Sequence, residues 1–396
     1  MLGSGIDVAL ARAETPGCEH VAHLNNAGAA LQPTPVLDAV IGHLRREGEI
    51  GGYEAADEQA GRVEHVYDAV ARLLGCTRDE IAVVENATRA WDMAFYSLRF
   101  GAGDRILTTR AEYASNYLAL RHVADRTGAS VEVVPDDEHG QVDAGALEAM
   151  LDERVRLVSL VHVPTQGGLV NPAARVGAIT RAAGVPLLLD ACQSVGQLPV
   201  DVEAIGCDIL SATGRKFLRG PRGTGFLFVR RELVERLEPP FLDLHAAEWL
   251  PDLGYRVRPD ARRFENWETN YATKIGLGVA VDYALRWGLE SIRARVVELA
   301  DALRGRLQEL PGVTVHDLGQ ERCGIVTFAV AGVPAADVAR ALGAAGINVS
   351  VSPAAYSRLD LDGRGLDALV RASVHYYNVD DELDRLAAAV GALGPR

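Results

Sequence analysis

Residues 185–194 read VPLLLDACQS, and residues 211–220 read SATGRKFLRG. In the first, five apolar positions run straight into Asp190; in the second, a short apolar segment runs into Arg215, Lys216 and a Gly-rich turn, RGPRGTG. A continuous apolar run of this length, without alternation, predicts a strand buried on both faces. Working outward, similar runs stand at 81–84, 105–108, 131–134, 155–161, 208–211 and 225–229. Amphipathic stretches of helical period, such as 63–74 and 173–183, separate most of them. Strand and helix alternating at this rhythm predict an α/β fold: a mostly parallel central sheet with helices on both faces. In such sheets ligands bind beyond the carboxyl ends of the strands, so the residues just after each apolar run are the ones to inspect.

The rhythm changes near residue 270. Long helices are predicted over 274–287 and 291–310. They are followed by strands at 313–316, 324–330, 347–351 and 369–374, with helices over 335–345 and from 381 onward. The expected organisation is an N-terminal segment, 1–50, packing with a smaller α+β domain at 271–396, and a large domain at 51–270.

Composition narrows the class of partner. The 396 residues carry 40 Lys+Arg against 54 Asp+Glu, a formal net charge of −14. That balance argues against a phosphate-backbone binder, which needs a basic surface, so no nucleic acid is expected. The five cysteines are scattered without a CxxC, and no His cluster has metal-ligand spacing, so no metal is expected. The N-terminal text lacks the pattern of a signal peptide, and no run approaches the roughly 18 apolar residues of a membrane helix. A cytoplasmic protein is the expectation.

Four strand ends carry the candidate chemistry. Taken alone, Asp190 reads as a salt bridge or a helix cap, because an unpaired buried charge is costly. Lys216, beside Arg215, reads as an exposed cation unless desolvation and a cationic neighbour turn it into a nucleophilic amine. The run IAVVENATRA leads into a helix at Ala87–Thr88, which is either a simple N-cap or a phosphate cradle of backbone N–H groups. Tyr113, past the end of RILTTRAEYASN, is either packing or a platform for a flat ring. Together these features fit one object: an aromatic ring with a phosphate, a Lys for its aldehyde and an Asp for its pyridinium nitrogen. That object is pyridoxal 5'-phosphate (PLP).

The sequence resembles the class V aminotransferase family, the branch of fold-type-I PLP-dependent transferases that holds cysteine desulfurases and isopenicillin N epimerase-like proteins. The likeness runs from HLNNAGAALQP at His23 to VRASVHYYNVDDELDRL ending at Leu386. Its most specific text is LLLDACQSVGQLPVDVEAIGCDILSATGRKFLRGPRGTGFLFV. The resemblance implies that the large domain binds PLP. Lys216 then links to the cofactor's aldehyde, Asp190 pairs with the ring nitrogen, and Gln193 contacts the phenolic oxygen. Ala87, Thr88, Thr213 and Arg215 hold the phosphate, and Tyr113 takes the ring-stacking place where desulfurases carry a His. Arg371 is the implied clamp for the substrate carboxylate. Asn26 and Thr165 line the substrate side, Thr165 close enough to count among the cofactor contacts. Glu268 and Thr269, in FENWETNYA, resemble the stretch that reaches the partner subunit's phosphate, which implies a homodimer with shared active sites. Trp91, Trp249, Trp267 and Trp287 read as core or interface, and Arg222 as structural or at the subunit boundary.

One departure from the family shapes the expected reaction. Desulfurases carry a mobile Cys shortly before the arginine that corresponds to Arg371. Here the text is GINVSVSPAAYSRLDLDGRG, with Ala355 nearest that place and no Cys after Cys323. Without a thiolate to accept sulfur, the expectation is a carbon–sulfur lyase acting on a cysteine S-conjugate, by β-elimination or by decarboxylation-coupled oxidative deamination. The resemblance behind it is to hercynylcysteine sulfoxide lyase-like proteins. Tyr356 and Arg358 are then expected to meet the distal part of the substrate. The alternative expectation is a class V aminotransferase or an amino-acid epimerase. A cofactor-fold sensor or scaffold is disfavoured by the intact Lys216 and Asp190.

Overall fold

The computed structural model describes residues 5–394. Its central sheet has seven strands: β1 (Ile81–Val84), β2 (Arg105–Thr109), β3 (Ser130–Val134), β4 (Val155–Val161), β5 (Leu187–Asp190), β6 (Ile209–Thr213) and β7 (Gly225–Val229). Their spatial order is β1-β7-β6-β5-β4-β2-β3. All neighbours are parallel except that β7 runs antiparallel to both β6 and β1. The α/β class, the mostly parallel sheet and the helices on both faces agree with the sequence.

The apolar runs lack alternation because each strand feeds two cores. Successive side chains point to opposite faces of a sheet. Leu187 and Leu189 enter one core with Val158, Leu160 and Leu210. Leu188 enters the other with Leu157, Ile209 and Leu227. The first face is covered by helices α1 (Ala60–Leu74) and α2 (Ala173–Ala183), through Val66, Val70 and Val176. The second is covered by α3 (Ala87–Phe95) and α4 (Ala114–Thr127), through Trp91, Phe95 and Leu120. Trp91 is therefore core, whereas Trp249 and Trp267 stand in solvent.

A second sheet, of four antiparallel strands, follows: β8 (Val313–Val315), β9 (Ile325–Val330), β10 (Ser350–Pro353) and β11 (Ala368–Ser373), in the order β8-β9-β11-β10. The expected single strand at 347–351 is divided. Ile347 and Asn348 pair in parallel with Ala22 and His23, while β10 pairs with β11. A short strand of the N-terminal segment is thus hydrogen-bonded to the C-terminal block. Helix Tyr271–Trp287 packs instead against α1 of the large sheet and against helix Thr34–Ile50. No helix among the described residues is long and apolar enough to cross a membrane.

Candidate active site

The carboxyl ends of β1, β4, β5 and β6 open on one cavity of about 610 Å³. Asp190 is the last residue of β5 and is almost wholly buried. Its Oδ2 accepts from Asn116 Nδ2 at 3.0 Å, and its Oδ1 from the Cys192 backbone N–H at 2.9 Å. Lys216 stands across the cavity, in the turn beyond β6. Burial is the main influence on its amine and holds the pKa below the ordinary lysine value. Cys192 and Asp190 oppose that shift, and the cations Arg215 and Arg371 add to it. An amine whose protonated form burial disfavours, lining the same cavity as a carboxylate, can both join a carbonyl and carry a proton.

The cavity's other end is built for an anion. The side chain of Asn86 caps α3 by accepting from the Arg89 N–H at 2.9 Å. Thr88 is therefore not the cap; it is exposed on the cavity wall beside Ala87 at the positive end of the helix. Gly225, the first residue of β7, lets the strand approach this end closely. A Cβ there would stand 2.5 Å from the Asn86 carbonyl carbon and 2.8 Å from the Ala87 nitrogen. Thr213 and Arg215 complete the wall, and Arg215 Nη1 is buried without a partner. A buried guanidinium N–H left unpaired is costly, and an anion seated at this end of the cavity would pair with it.

On the opposite side, Gln193 donates to the Ala27 carbonyl and to Thr165 Oγ1, both at 3.1 Å, and its Oε1 is buried without a partner. Thr165 in turn accepts from Arg371 Nη1, at 2.6 Å through its hydroxyl and 2.9 Å through its carbonyl. Arg371, on β11, is buried just behind this wall, and its Nε has no partner. Burial and the neighbouring Arg215 push its pKa down to about 10, with Tyr113 opposing them. Tyr113 lies on the wall at the start of α4.

The structure therefore gathers Ala87, Thr88, Tyr113, Thr165, Asp190, Gln193, Thr213, Arg215 and Lys216 around one cavity, with Arg371 behind its lining. Asn26 is not among them. It is fully buried, donating to the Ser373 carbonyl at 2.7 Å and accepting from the Tyr377 hydroxyl, so both ends of its amide fasten the N-terminal segment to the C-terminal block. Glu268 and Thr269 lie away from the wall, on a largely exposed segment next to Trp267. Tyr356 and Arg358 also stand in solvent, Arg358 pairing with Asp362 at 3.3 Å. Sequence reasoning missed Glu85, Asn116, Cys192 and Gly223 in the lining; Arg222, read as structural or at the subunit boundary, also lines the cavity. Asn116 was detectable in principle, since it falls one helical turn after Tyr113 and so shares its face.

The family described as Aminotransferase class-V matches residues 22–386. A probable cysteine desulfurase from Methanothermobacter thermautotrophicus is 31% identical over 376 residues, covering 93% of each chain. A solved cysteine desulfurase from Thermococcus onnurineus superposes with a TM-score of 0.88 at 26% identity, covering 96% of each chain. A cysteine desulfurase from Escherichia coli superposes at 0.90 and 24% identity over 98% of each chain, a likeness of fold. These matches overturn the expected carbon–sulfur lyase for cysteine S-conjugates, because relatives aligned over nearly the whole chain carry the name cysteine desulfurase. That expectation rested on Tyr113 at the ring-stacking place together with the Cys absent from one loop. An absence there does not select which bond is broken.

Proposed function

This chain belongs to the aminotransferase class-V family, and from that premise we propose that it is a PLP-dependent enzyme that works at the Cα of an amino acid, as an aminotransferase or an amino-acid epimerase. The observation that carries the reading is the pairing, across one cavity, of a buried carboxylate at Asp190 with a desolvated amine at Lys216.

The residues present fit the cofactor. The unpartnered Arg215 Nη1, the Thr88 and Thr213 hydroxyls and the N–H groups at Ala87 suit its phosphate. Asp190, fixed through both oxygens, would pair with the ring nitrogen; Gln193, whose buried oxygen lacks a partner, would meet the phenolic oxygen; Tyr113 would stack on the ring. When bound, PLP supplies an electron sink for the pair left at Cα. The chain's own residues do the rest. Arg371 meets the substrate carboxylate with N–H groups that no side-chain carboxylate of this chain now engages. Thr165 holds that guanidinium in place. Lys216, its pKa lowered chiefly by burial, takes the Cα proton and returns it. Return of the proton to the opposite face of Cα would give epimerisation; transamination would instead consume a water, release a 2-oxo acid and leave the amino nitrogen with the cofactor.

The finer assignments belong to the same proposal. Glu268 is exposed and Thr269 half-buried, which leaves the segment open to a partner subunit, so a homodimer with shared sites is the expected assembly. Tyr356 and Arg358 stand in solvent outside the cavity lining, so a contact with the substrate's far end would need them to move onto it. A large cofactor-binding domain at 51–270, a smaller one at 271–396 and a reducing, cytoplasmic setting complete it; the five cysteines are all free.

The test is to incubate the PLP-loaded protein with a panel of L-amino acids in D₂O. Deuterium at Cα, with either a 2-oxo acid or the D-enantiomer as product, is the expected result. Release of alanine from L-cysteine, with its sulfur recovered as sulfide by an added thiol reductant and with no Cα exchange in any other substrate, would overturn the reading.

A further inference from the structure

Beneath Asp190 lies a second carboxyl group that the reaction does not use. Glu112 is 2% exposed and immediately precedes Tyr113. Its Oε2 accepts from Thr108 Oγ1 on β2 at 2.7 Å and from Ser159 Oγ on β4 at 3.1 Å. Its Oε1 accepts from the Tyr113 backbone N–H at 2.7 Å and from Asn116 Nδ2 on α4 at 3.0 Å. The same Asn116 nitrogen donates to Asp190 Oδ2 on β5, also at 3.0 Å. The donors from β2, β4 and α4 are all neutral, and the charged group that faces Glu112 is Asp190 itself.

The arrangement has a directional consequence. An amide can present either its NH₂ or its oxygen to a neighbour. An ionised carboxylate accepts only, so Glu112 obliges Asn116 to turn its NH₂ downward. With one N–H spent on Glu112, the other points to Asp190, and the repulsive orientation, amide oxygen against carboxylate, is closed off. Resting on the PLP reading above, we infer that Glu112 is a positioning residue for Asp190, acting through the amide of Asn116. It also holds the backbone of Tyr113, so one buried carboxyl orders both the group that would pair with the ring nitrogen and the one that would stack on the ring. Burial pushes the Glu112 carboxyl up to about 7. Near neutrality it can therefore take a proton, become a donor, and release the constraint on Asn116.

Glu112→Gln keeps the volume and can still bond both hydroxyls, yet its NH₂ can pair with the Asn116 oxygen. The decisive experiment is a double-mutant cycle on PLP affinity with wild type, Glu112→Gln, Asp190→Asn and the double variant. The pH midpoint of the bound cofactor's visible band is recorded for each. Losing one oriented hydrogen bond to a charged group predicts binding about tenfold weaker in Glu112→Gln, with the midpoint displaced. In the Asp190→Asn background the same change should cost less than about twofold, because no carboxylate is left to orient. An equal loss in both backgrounds, or unchanged affinity and midpoint, overturns the inference. Should Glu112→Gln not fold, Asn116→Ser cuts the same link from the other side and must give the same pattern. If wild type itself binds no PLP, the functional reading fails as well; if wild type binds and the cycle is additive, this inference fails alone.

Discussion

Two buried arginines flank strand β9 and show opposite chemistry. Arg304 is 2% exposed, and its donors are matched: Nε to Asp317 at 2.8 Å, Nη1 to Asp301 at 3.0 Å, and Nη2 to the carbonyls of Cys323 and Ile325 at 2.9 and 2.8 Å. Arg371, opposite Thr327 in the register of the same sheet, is as well buried. It meets a single threonine, has no carboxylate partner and leaves Nε unpaired. Burial alone therefore does not separate structure from function. A buried cation whose donors are all used is part of the fold; one whose donors are spare is waiting for an anion.

This contrast can be broken by experiment. The largest effect should come from Arg304→Ala, which strands Asp317 as a buried charge. Stability to urea should fall by about 3 to 5 kcal/mol, while kcat/KM of the folded fraction changes little. A catalytic loss without a stability loss would dissolve the distinction. Arg371→Ala should do the reverse. Losing the charge-assisted contacts to a substrate carboxylate predicts kcat/KM lower by about a hundredfold to a thousandfold. The melting temperature of the ligand-free protein should be equal or higher, since an unpaired buried charge has been removed.

Glu112 sharpens the comparison from the acidic side. It lacks a cationic partner, and its folded pKa stands at about 7 against an ordinary 4.5. Between those values the folded protein binds more protons than the unfolded chain, so this group's contribution to stability falls as pH rises from 4.5 to 7 and is fully present only below 4.5. Glu112→Gln should remove up to about 3 kcal/mol of that decline, read as a flatter dependence of urea midpoint on pH. An unchanged slope would mean the carboxyl is ionised in the fold throughout. The smallest effect belongs to Arg358→Ala. An exposed i,i+4 pair with Asp362 contributes within about 0.5 kcal/mol, so any rise in KM beyond that scale would bring this arginine to the substrate.

The sheet was legible because its strands are apolar on both faces, so each of the seven stood out as a run that polar text interrupts. The strand-end residues Asp190, Lys216, Thr88 and Tyr113 were legible for the same reason: the fold class says where to look. What stayed hidden depends on partners. Glu112 is one acidic residue in a loop sequence, and nothing in TTRAEYASN shows that Thr108, Asn116 and a residue of another strand, Ser159, close around it. Arg304 and Arg371 are the same residue type in similar apolar surroundings, and the distinction between them is visible only as hydrogen bonds. Asn26 was expected at the substrate because it lies in HLNNAGAALQP, whereas Tyr377 and Ser373, distant in sequence, take up its amide. The break at 347–353 was missed because a β-branched run reads as one strand whether or not its two halves pair with different neighbours.

The central claim is that Lys216 and Asp190 face one another across a cofactor cavity, with Lys216 as its covalent anchor. Borohydride reduction of the PLP-loaded protein, followed by peptide mapping, tests it most directly. The account predicts one pyridoxyl group per chain, on Lys216, absent from Lys216→Ala. A pyridoxyl group on Lys274, or none on any lysine of a protein that has bound PLP, would contradict it.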